Sequence, residues 1–589
     1  MSKSILNAHR HIQEFGAQIL ADVDTTLDTI PRRSRCSPDI VSQLDANIVY
    51  LQESVVNQLR KRRNLLVPFL CLPPEVIEQV ALALAKSFPS GVLDCINLTK
   101  VCSSLRSLLL NYRELWAATA FTLPDAGLCK MIIDRARGSP LSVRFDVGTF
   151  IQPLDRSPMM RLLKEHFASI CTVRVSESKA NDGFCNVFTC DELSAVELPL
   201  LRSMHISTSK PGPTLASSNR YTCPPMLTPN LRYLALSNAY VPFDPSTLTE
   251  LSLSTTGRYG SNPDWIPPAA HFLNILRQSR NLRVLKLRAT IPELGEEASQ
   301  LPISFPRLEV LSVQDLAHKC FALWPLLIVP PQATVHLHLP ARTPAAPIKE
   351  LSCLRSIGTS ATAVYFTYDY NPKLYLFKPV ADGYEPPKYS DIDPNLPAAF
   401  KRHGLLICLE FDVEGATSPV SYAATMLPDC ATVLGLGSIQ TLHIATNQAY
   451  PAKDWCLMLG PFKGVQTLEI STLQKNIVYG RQSAKIDHAG IVQALHGGPN
   501  GFLPLLQVLR IPAIRIFKGC PIEMLLLLAR SRKLQHLRID LLAFSRDYSG
   551  CDATRWHDER QAFMDHMEAM GTHAEGFRAR QRAIPKINK

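Results

Sequence analysis

The sequence lacks the short motifs that mark common enzyme classes and the long apolar runs that mark membrane spans. None of the patterns G-x-x-x-x-G-K-[ST], G-x-S-x-G, H-E-x-x-H and G-x-G-x-x-G occurs in it. The most apolar later stretches, such as CFALWPLLIVPP from Cys320, fall well short of the ~18 uncharged apolar residues that a bilayer span needs. We therefore expect a protein that is not an enzyme and has no membrane partner.

Paired cysteines and a secretion signal are also missing. The sixteen cysteines are scattered, with no C-x-x-C pair. The first thirty residues carry acids and polar groups where a signal peptide needs an unbroken apolar core. The run HLHL puts His336 and His338 on one strand face as a possible metal pair, but no third ligand is suggested and structural histidines are commoner. The sequence predicts no metal or other cofactor, and a cytoplasmic or nuclear location.

A dense concentration of basic residues is also missing from the sequence. Lysine and arginine number 62 against 51 acids, which gives a formal net charge of +11. Spread over 589 residues, this excess is not the concentrated basic footprint of a nucleic-acid-binding domain. The chain is 46% hydrophobic and long enough for two or more folded units. We therefore expect no nucleic acid as its main partner.

An amphipathic helix is predicted over 40–66, after a segment over 1–39 that is either poorly ordered or helical. Its apolar residues recur at steps of three and four, which line one helical stripe. They are Val41, Leu44, Ile48, Leu51, Val55 and Leu59. The stripe can be buried in a short coiled coil or against the next domain, and the sequence does not separate the two. The basic run at 60–63 suits the negative end of the helix dipole, and nuclear targeting is the alternative.

A small helical domain is predicted over 67–122. In CLPPEV, Pro73 and Pro74 suit the first turn of a helix, where a missing N–H has no partner, and Glu75 places a carboxylate at the positive end of the dipole. A second three-four stripe follows and ends in YRELW, with Trp116 as an aromatic anchor. These helices carry more apolar surface than so small a bundle can hide.

These helices resemble the F-box, in the F-box-like version that follows a short N-terminal helix in proteins of mushroom-forming fungi. The family signature is roughly L-P-x-E-[VIL], then L-x-x-V-C-[RKS]-x-W-[RK]-x-[LV], then L-W. The matching positions are Leu72, Pro73, Glu75, Val76, Leu98, Val101, Cys102, Arg106, Leu108, Leu115 and Trp116. Leu105 stands where the family has tryptophan, and DRARGSPLSVRFD, over 134–146, is also similar to the segment after the box.

The resemblance implies a substrate-receptor subunit of a Skp-cullin-F-box ubiquitin ligase, which has no chemistry of its own. Its partners would be a Skp-family adaptor, through it a cullin complex, and an unknown protein client. The candidate adaptor contacts are Leu72, Pro73, Val76, Ile77, Val101, Leu105 and Trp116.

A repeated pattern, L-x-x-L-x-L, runs from 140 to 545. Clear copies include LRYLAL at Leu231, LRVLKL at Leu282 and LQHLRI at Leu534. The last three positions of each copy alternate, which is typical of a strand with one buried face. Such strands, preceded by apolar helices, gain stability by stacking on their copies.

The pattern resembles a leucine-rich-repeat array with two departures. Its spacings are uneven, and the expected asparagine or cysteine three places after the last apolar residue is present only as Asn447. The expected fold class is α + α/β: the amphipathic helix and small helical bundle, then an irregular leucine-rich-repeat solenoid. A Pro-rich insertion is predicted near 375–400 and a polar helical or disordered tail over 546–589.

Basic and histidine side chains at outward-facing strand positions suggest an acidic client. The candidate client contacts are Arg232, Lys286, His443, Arg510 and Arg538, with His205 as a further one. The alternative function is a repeat scaffold or a basic nucleic-acid-binding array without a ligase role.

Overall fold

The structure is a computed structural model that describes parts of the chain between residues 3 and 541. The described ranges are 3–30, 38–64, 67–86, 91–123, 125–146, 157–176, 193, 195–208, 223–255, 266–295, 301–341, 347–368, 372–378, 405–413, 419–446, 448, 450–471, 489–497, 502–514 and 536–541. The predicted tail over 546–589, Asn447 and most of the predicted insertion lie outside them.

The chain divides into two compact units. The first comprises Met1–Thr119 and Met131–Ser139, and the second comprises Ala120–Lys130 and Pro140–Lys589. In the described part of the chain, no helix is both long enough and apolar enough to cross a bilayer.

The first unit is helical. Its elements, in chain order, are α1 (Lys3–Thr29), α2 (Pro38–Tyr50), a π-helical turn (Leu51–Val56), α3 (Asn57–Asn64), a 3-10 turn (Pro68–Cys71), α4 (Pro74–Lys86), α5 (Gly91–Leu98), α6 (Ser103–Asn111) and α7 (Arg113–Thr119). Helix α8 (Ala126–Ala136) belongs partly to each unit.

Helix α4 begins where the sequence predicts it. Pro74 takes the first helical position, where its missing N–H costs nothing. The carbonyl of Pro73 accepts the first backbone bonds, from the N–H of Val76 at 3.0 Å and of Ile77 at 3.2 Å. The core of this bundle consists of Ile77, Ala81, Ala85, Cys95, Leu105, Leu109 and Leu115. Leu105, which stands where the F-box signature has tryptophan, is therefore a core residue.

Trp116 fixes α7 against α6. Its indole Nε1 donates to the carbonyl of Leu109 at 2.9 Å, and only 3% of the residue is exposed. The guanidinium of Arg135 lies 5.2 Å from the ring centroid, a cation–π contact within the same unit. Trp116, which the sequence indicates as an aromatic anchor, is thus held by burial of its ring, by a hydrogen bond and by a cation–π contact.

The second unit is built on one large, mostly parallel sheet. Its strands are β1 (Leu141–Asp146), β2 (Ile170–Ser176), β3 (Ser203–Ser207), β4 (Tyr233–Ser237), β5 (Glu250–Ser254), β6 (Val284–Arg288), β8 (Val310–Gln314), β10 (Thr334–Ala341), β11 (Ala363–Tyr368), β12 (Pro372–Phe377), β13 (Leu405–Val413), β14 (Thr441–Thr446), β15 (Thr467–Ser471), β16 (Val508–Ile514) and β17 (His536–Leu541). Two short strands, β7 (Ile303–Ser304) and β9 (Leu327–Ile328), form a separate pair.

The spatial order follows the chain except at one place. It runs β1-β2-β3-β4-β5-β6-β8-β10-β13-β12-β11-β14-β15-β16-β17. Strand β12 is antiparallel to both of its neighbours, β11 and β13, and the other pairs of the sheet are parallel. The architecture is therefore helical in the first unit and α/β in the second.

Helices of the second unit lie between successive strands along the chain. They are α9 (Ser157–Glu165), α10 (Ala269–Gln278), α11 (Ala317–Leu323), α12 (Pro347–Glu350), α13 (Arg355–Thr359), α14 (Pro419–Leu434), α15 (Ala452–Leu459) and α16 (Ala489–Gly497); short 3-10 turns cover Phe167–Ser169, Pro245–Thr247, Trp324–Leu326, Leu351–Leu354 and Leu436–Ser438. Their apolar residues and the leucines of the repeated pattern form the core, as in α10, where Phe272, Leu273 and Leu276 are at most 1% exposed.

A ladder of buried polar side chains closes the ends of β3, β4 and β5. The side-chain amide of Asn238 donates to the carbonyl of Thr208 at 2.6 Å, and the Thr208 hydroxyl donates to the carbonyl of Asn238 at 3.0 Å. The Thr255 hydroxyl donates to Asn238 Oδ1 at 2.9 Å. These residues lie two places after the last apolar strand residue, not three. The conformation at Asn238, with φ at +53°, is one that asparagine tolerates.

Candidate functional site

The candidate adaptor residues separate by exposure. Leu72 is 38% exposed, Val76 41% and Val101 58%, and Pro73 is also exposed. In contrast, Ile77, Leu105 and Trp116 are at most 6% exposed. The structure therefore offers four of the seven residues to a partner, and the other three hold the bundle together.

Two faces of α4 are apolar, and only one is buried. Ile77, Ala81 and Ala85, at steps of four, point into the core. Val76 and Val80, also four residues apart, stay exposed on α4, at 41% and 36%, and Leu72, an extended residue just before the helix, is exposed as well. We call these three residues the α4 line. Val80 is not among the candidate contacts from the sequence, although its spacing of four from Val76 could have indicated it.

The polar face of the large sheet carries a continuous row of residues in mutual register. We call it the central row. From β1 to β17 in spatial order it consists of Arg144, Arg174, His205, Ala235, Ser252, Lys286, Ser312, His336, Cys408, Tyr375, Tyr365, His443, Glu469, Arg510 and Arg538.

The candidate client residues map onto this row with one exception. Lys286, His443, Arg510 and Arg538 belong to it, although only the backbone of the last two is described. Arg232 lies just before β4, and its guanidinium donates to the carbonyl of Thr247 at 2.8 Å. The row brings together residues that are far apart in the chain.

The part of the row on β1 to β6 is basic and open. Arg174, Lys286 and its neighbour Arg288 are exposed, and no ion pair within the described residues joins them to a carboxylate. Burial, together with the nearby charge of Arg174, lowers the pKa of both Arg144 and His205. His205 is therefore neutral near pH 7, and the positive charge here belongs to the arginines and the lysine.

The centre of the polar face holds a cluster of charged side chains around Glu410, on β13. Lys373 Nζ lies 2.8 Å from one Glu410 oxygen, and His336 Nε2 and His338 Nδ1 lie 3.7 Å and 3.6 Å from the other. Burial alone would raise the pKa of Glu410, but these cations lower it to about 2. Burial opposes the charge on His336, yet Cys408 and Glu410 raise its pKa to about 10.

The two histidines of HLHL thus meet a third and a fourth polar group that the sequence did not suggest. Glu410 and Cys408 come from β13, paired with β10. The ammonium of Lys373 occupies one oxygen of the carboxylate that a metal would need. Among the described residues, no group of His, Cys, Asp and Glu side chains could hold a metal ion. The arrangement is an ionic cluster.

His443 lies beneath the polar surface. It is 7% exposed, and its ring meets Tyr365 edge-on with 4.4 Å between centroids. Its Nε2 is 4.0 Å from Glu469 Oε1, at the outer limit of an ion pair. Burial lowers the pKa of His443 to about 3, so the ring is neutral near pH 7. The sequence-based proposal that His443 contacts a client therefore falls on a ring that is almost fully buried.

A cavity of about 560 Å³ lies beside β4 and was not indicated by the sequence. Its walls include Met226, Phe243 and several prolines. The hydroxyl of Tyr240 and Nε2 of His271 face each other at 2.7 Å, and burial lowers the pKa of His271. The cavity is therefore lined mainly by apolar side chains, and its polar members are Thr228, Tyr240, Asp244, His271 and Gln278.

Comparisons with known proteins add little. No protein-family model matches the chain, and no curated protein matches it. Among solved structures, it is similar to a chain of the crystal structure of the Rad7 and Elc1 complex in yeast, at 11% identity, with 78% of this chain and 98% of that chain covered and a TM-score of 0.23. A TM-score this low carries no argument about a shared fold or function.

Proposed function

We propose that this protein is a substrate-receptor subunit of a Skp-cullin-F-box ubiquitin ligase. In this proposal the α4 line docks on a Skp-family adaptor, and the polar face of the sheet holds a protein client. The observation that carries the proposal is the second apolar face of α4, which stays exposed although the bundle core is complete without it.

Docking would stabilise the complex through burial of that face. The three side chains of the α4 line are between 36% and 41% exposed. Covering their remaining apolar surface contributes on the order of 1 kcal/mol for each side chain. Together with Pro73 and Val101, both exposed, this line supports an apolar contact whose centre is Val76.

The second unit is proposed to be an irregular leucine-rich-repeat solenoid with its polar face toward the client. Parallel strands in chain order and the Thr208–Asn238–Thr255 ladder support this assignment. Arg174, Lys286 and Arg288 are open cations on that face, which favours an acidic client surface. The protein would act by holding the client close to a charged ubiquitin-conjugating enzyme, without catalytic residues of its own.

Copurification with a Skp-family adaptor tests the docking proposal. Val76→Asp places a charge in the proposed contact and should reduce adaptor retention at least about tenfold, because an unpaired charge would be desolvated. Met131→Asp is the matched control, since Met131 is 43% exposed in the same unit and lies outside the α4 line. Circular dichroism melting of both variants checks that the bundle is folded.

Equal retention of the wild type, Val76→Asp and Met131→Asp would exclude docking through α4. An adaptor that is not retained at all, together with salt-sensitive binding of nucleic acid, would instead favour the alternative of a basic array without a ligase role.

A further inference from the structure

The polar face of β2 to β6 has long cationic side chains at its two edges and short side chains between them. Arg174 lies on β2, and Lys286 and Arg288 lie on β6; all three are exposed. At the level of these cations, β3, β4 and β5 carry one histidine, His205, and otherwise only short residues. We call these short residues the floor: Ala235, Ser252, Ser207, Ser237 and Ser254.

The strand register fixes the distance between the two cationic edges. In the central row, the path from Arg174 to Lys286 passes through His205, Ala235 and Ser252, which makes four strand intervals. Neighbouring strands are ~4.8 Å apart, so the backbones at the two edges are about 19 Å apart. Arginine and lysine side chains extend farther from a sheet than serine or alanine. The floor is therefore a depression between two cationic walls.

The middle of this depression has no positive charge. The floor consists of alanine and serines, and the adjacent His205 is neutral near pH 7, because burial and the charge of Arg174 lower its pKa. Glu250 comes two residues before Ser252 on the same face of β5, so the charge beside the floor is negative. A ligand that matches this pattern has acidic groups at its two ends and a neutral middle.

An extended peptide has the dimensions that this pattern requires. Each residue of an extended chain advances about 3.4 Å, so residues six apart are about 20 Å apart. An even separation also places their two side chains on the same side of the chain. Serine hydroxyls both donate and accept hydrogen bonds, so Ser207 and Ser237 can bind the main chain of such a segment.

We propose that the client contributes an extended segment with two acidic side chains six residues apart. One acid lies at Arg174, the other lies at Lys286 and Arg288, and the neutral residues between them cross the floor. This inference rests on the proposed client role of the sheet face and adds the spacing that a client must have. It does not involve the α4 line, so adaptor copurification tests the docking proposal separately.

The spacing is tested with two labelled peptides of identical composition, each with two glutamates among glycines and serines. The glutamates are six residues apart in the spaced peptide and two residues apart in the close peptide. Fluorescence anisotropy with the full-length chain at low salt should show at least about fivefold tighter binding of the spaced peptide, because only this peptide reaches both edges. Equal binding of the two peptides, or binding of neither, overturns the proposal. Adaptor retention in that case leaves the docking proposal intact.

The floor is tested with two tyrosine variants in the central row. Ser252→Tyr puts a large side chain on the floor, and Ser312→Tyr puts the same side chain on β8, outside Lys286. Both serines are half-buried strand residues, and strands favour tyrosine. Binding of the spaced peptide should weaken at least about fivefold in Ser252→Tyr and stay within about twofold of the wild type in Ser312→Tyr. Equal effects of the two substitutions overturn the proposal.

An exchange of charge tests the position of the second acid through a gain of binding. Lys286→Glu with Arg288→Glu makes one edge acidic and leaves the other basic. This variant should lose the spaced peptide and should bind a version in which one glutamate is replaced by lysine, because each end then meets an opposite charge. Circular dichroism melting checks that the variant is folded. A folded variant that does not prefer the lysine-containing peptide overturns the proposal.

Discussion

Two parts of the polar sheet face, on β1 to β6 and on β10 to β14, share one strand register but differ in how their charged side chains are arranged. On β1 to β6, Arg174, Lys286 and Arg288 are exposed and have no carboxylate partner among the described residues, and the ends of β3, β4 and β5 carry the Thr208–Asn238–Thr255 ladder. On β10 to β14 the cationic side chains gather around the carboxylate of Glu410, and the neighbouring tyrosines are buried. The difference teaches that the first part is stabilised by polar contacts at its strand ends and leaves charged side chains exposed on its face. In the central part, the polar side chains contribute to the stability of the fold.

Removal of the Glu410 carboxylate should have the largest effect on the free energy of unfolding. Glu410→Gln keeps the size of the side chain but leaves the Lys373 and His336 cations without a buried counter-charge. We expect a loss of about 3 kcal/mol in the free energy of unfolding, measured by urea denaturation. Lys286→Gln, on the open part of the same row, is the control and should change that free energy by less than about 0.5 kcal/mol. Equal effects of the two variants would remove the distinction between the two parts.

The second-largest loss of unfolding free energy should follow disruption of the Thr208–Asn238–Thr255 ladder, at the strand ends of the β1 to β6 part. Asn238→Ala removes the amide that donates to Thr208 and accepts from Thr255, and it leaves alanine at a positive φ. A loss of about 2 kcal/mol in the free energy of unfolding is expected, because buried partners remain unsatisfied. Ser254→Ala, on the half-buried surface of the adjacent strand, is the comparison variant and should be nearly neutral. An Asn238→Ala protein of wild-type stability would show that the ladder is dispensable.

Acid should have a weaker effect on stability, and it tests the burial of His443 in the central part. The folded pKa of His443, about 3, is below its unfolded value of roughly 6.5, so its contribution to stability is present above pH 6.5 and is lost as the pH falls toward 3. Between about pH 6 and pH 5 this amounts to about 1 kcal/mol. The corresponding loss from Glu410 occurs only as the pH falls from roughly 4.3 toward its folded pKa of about 2.

His443→Phe should therefore flatten the pH dependence of the unfolding free energy in that range, relative to the wild type. If the variant and the wild type lose stability in parallel between about pH 6 and pH 5, the ring is protonated in the folded state and the central part is more open than the geometry indicates.

The smallest effect on the free energy of unfolding is expected from a variant that should strongly weaken the binding of an acidic peptide. Replacement of Arg174, Lys286 and Arg288 by alanine should leave the unfolding free energy within about 0.5 kcal/mol of the wild type. Binding of a labelled polyglutamate peptide, followed by fluorescence anisotropy, should weaken at least about tenfold and lose its dependence on salt. Unchanged, salt-sensitive binding would move the acidic-client surface to another part of the chain.

Local periodicity predicted much of the sheet. The pattern LRYLAL contains β4, and its leucines Leu231, Leu234 and Leu236 are at most 1% exposed, as alternation requires. The same alternation places Lys286 on the polar face. It could not show that His443 is buried, because the side chains that surround it come from strands far away in the sequence.

The charge cluster around Glu410 could not be predicted from the sequence, for the same reason. Its anion is on β13 and its lysine on β12, and the antiparallel insertion of β12 has no signal in the repeated pattern. In the helical bundle, stripes predicted the helices well, as for α4. They did not divide Val76 from Ile77, because one turn of a helix with two apolar faces contains both core and surface positions.

The inserted antiparallel strand also bears on the order in which the molecule folds. Leu234 pairs with Leu251 in the next strand along the chain, whereas Leu337 pairs with Leu409 and Phe366 with Ile444 across much longer loops. Closing longer loops costs more entropy before any contact forms, so pairing on the β1 to β6 side should precede pairing around β12. Pulse-labelling hydrogen exchange should then find early protection at β4 and β5. The β1 to β6 side, where the proposed client contacts lie, would then be formed while the strands around β12 are still unpaired.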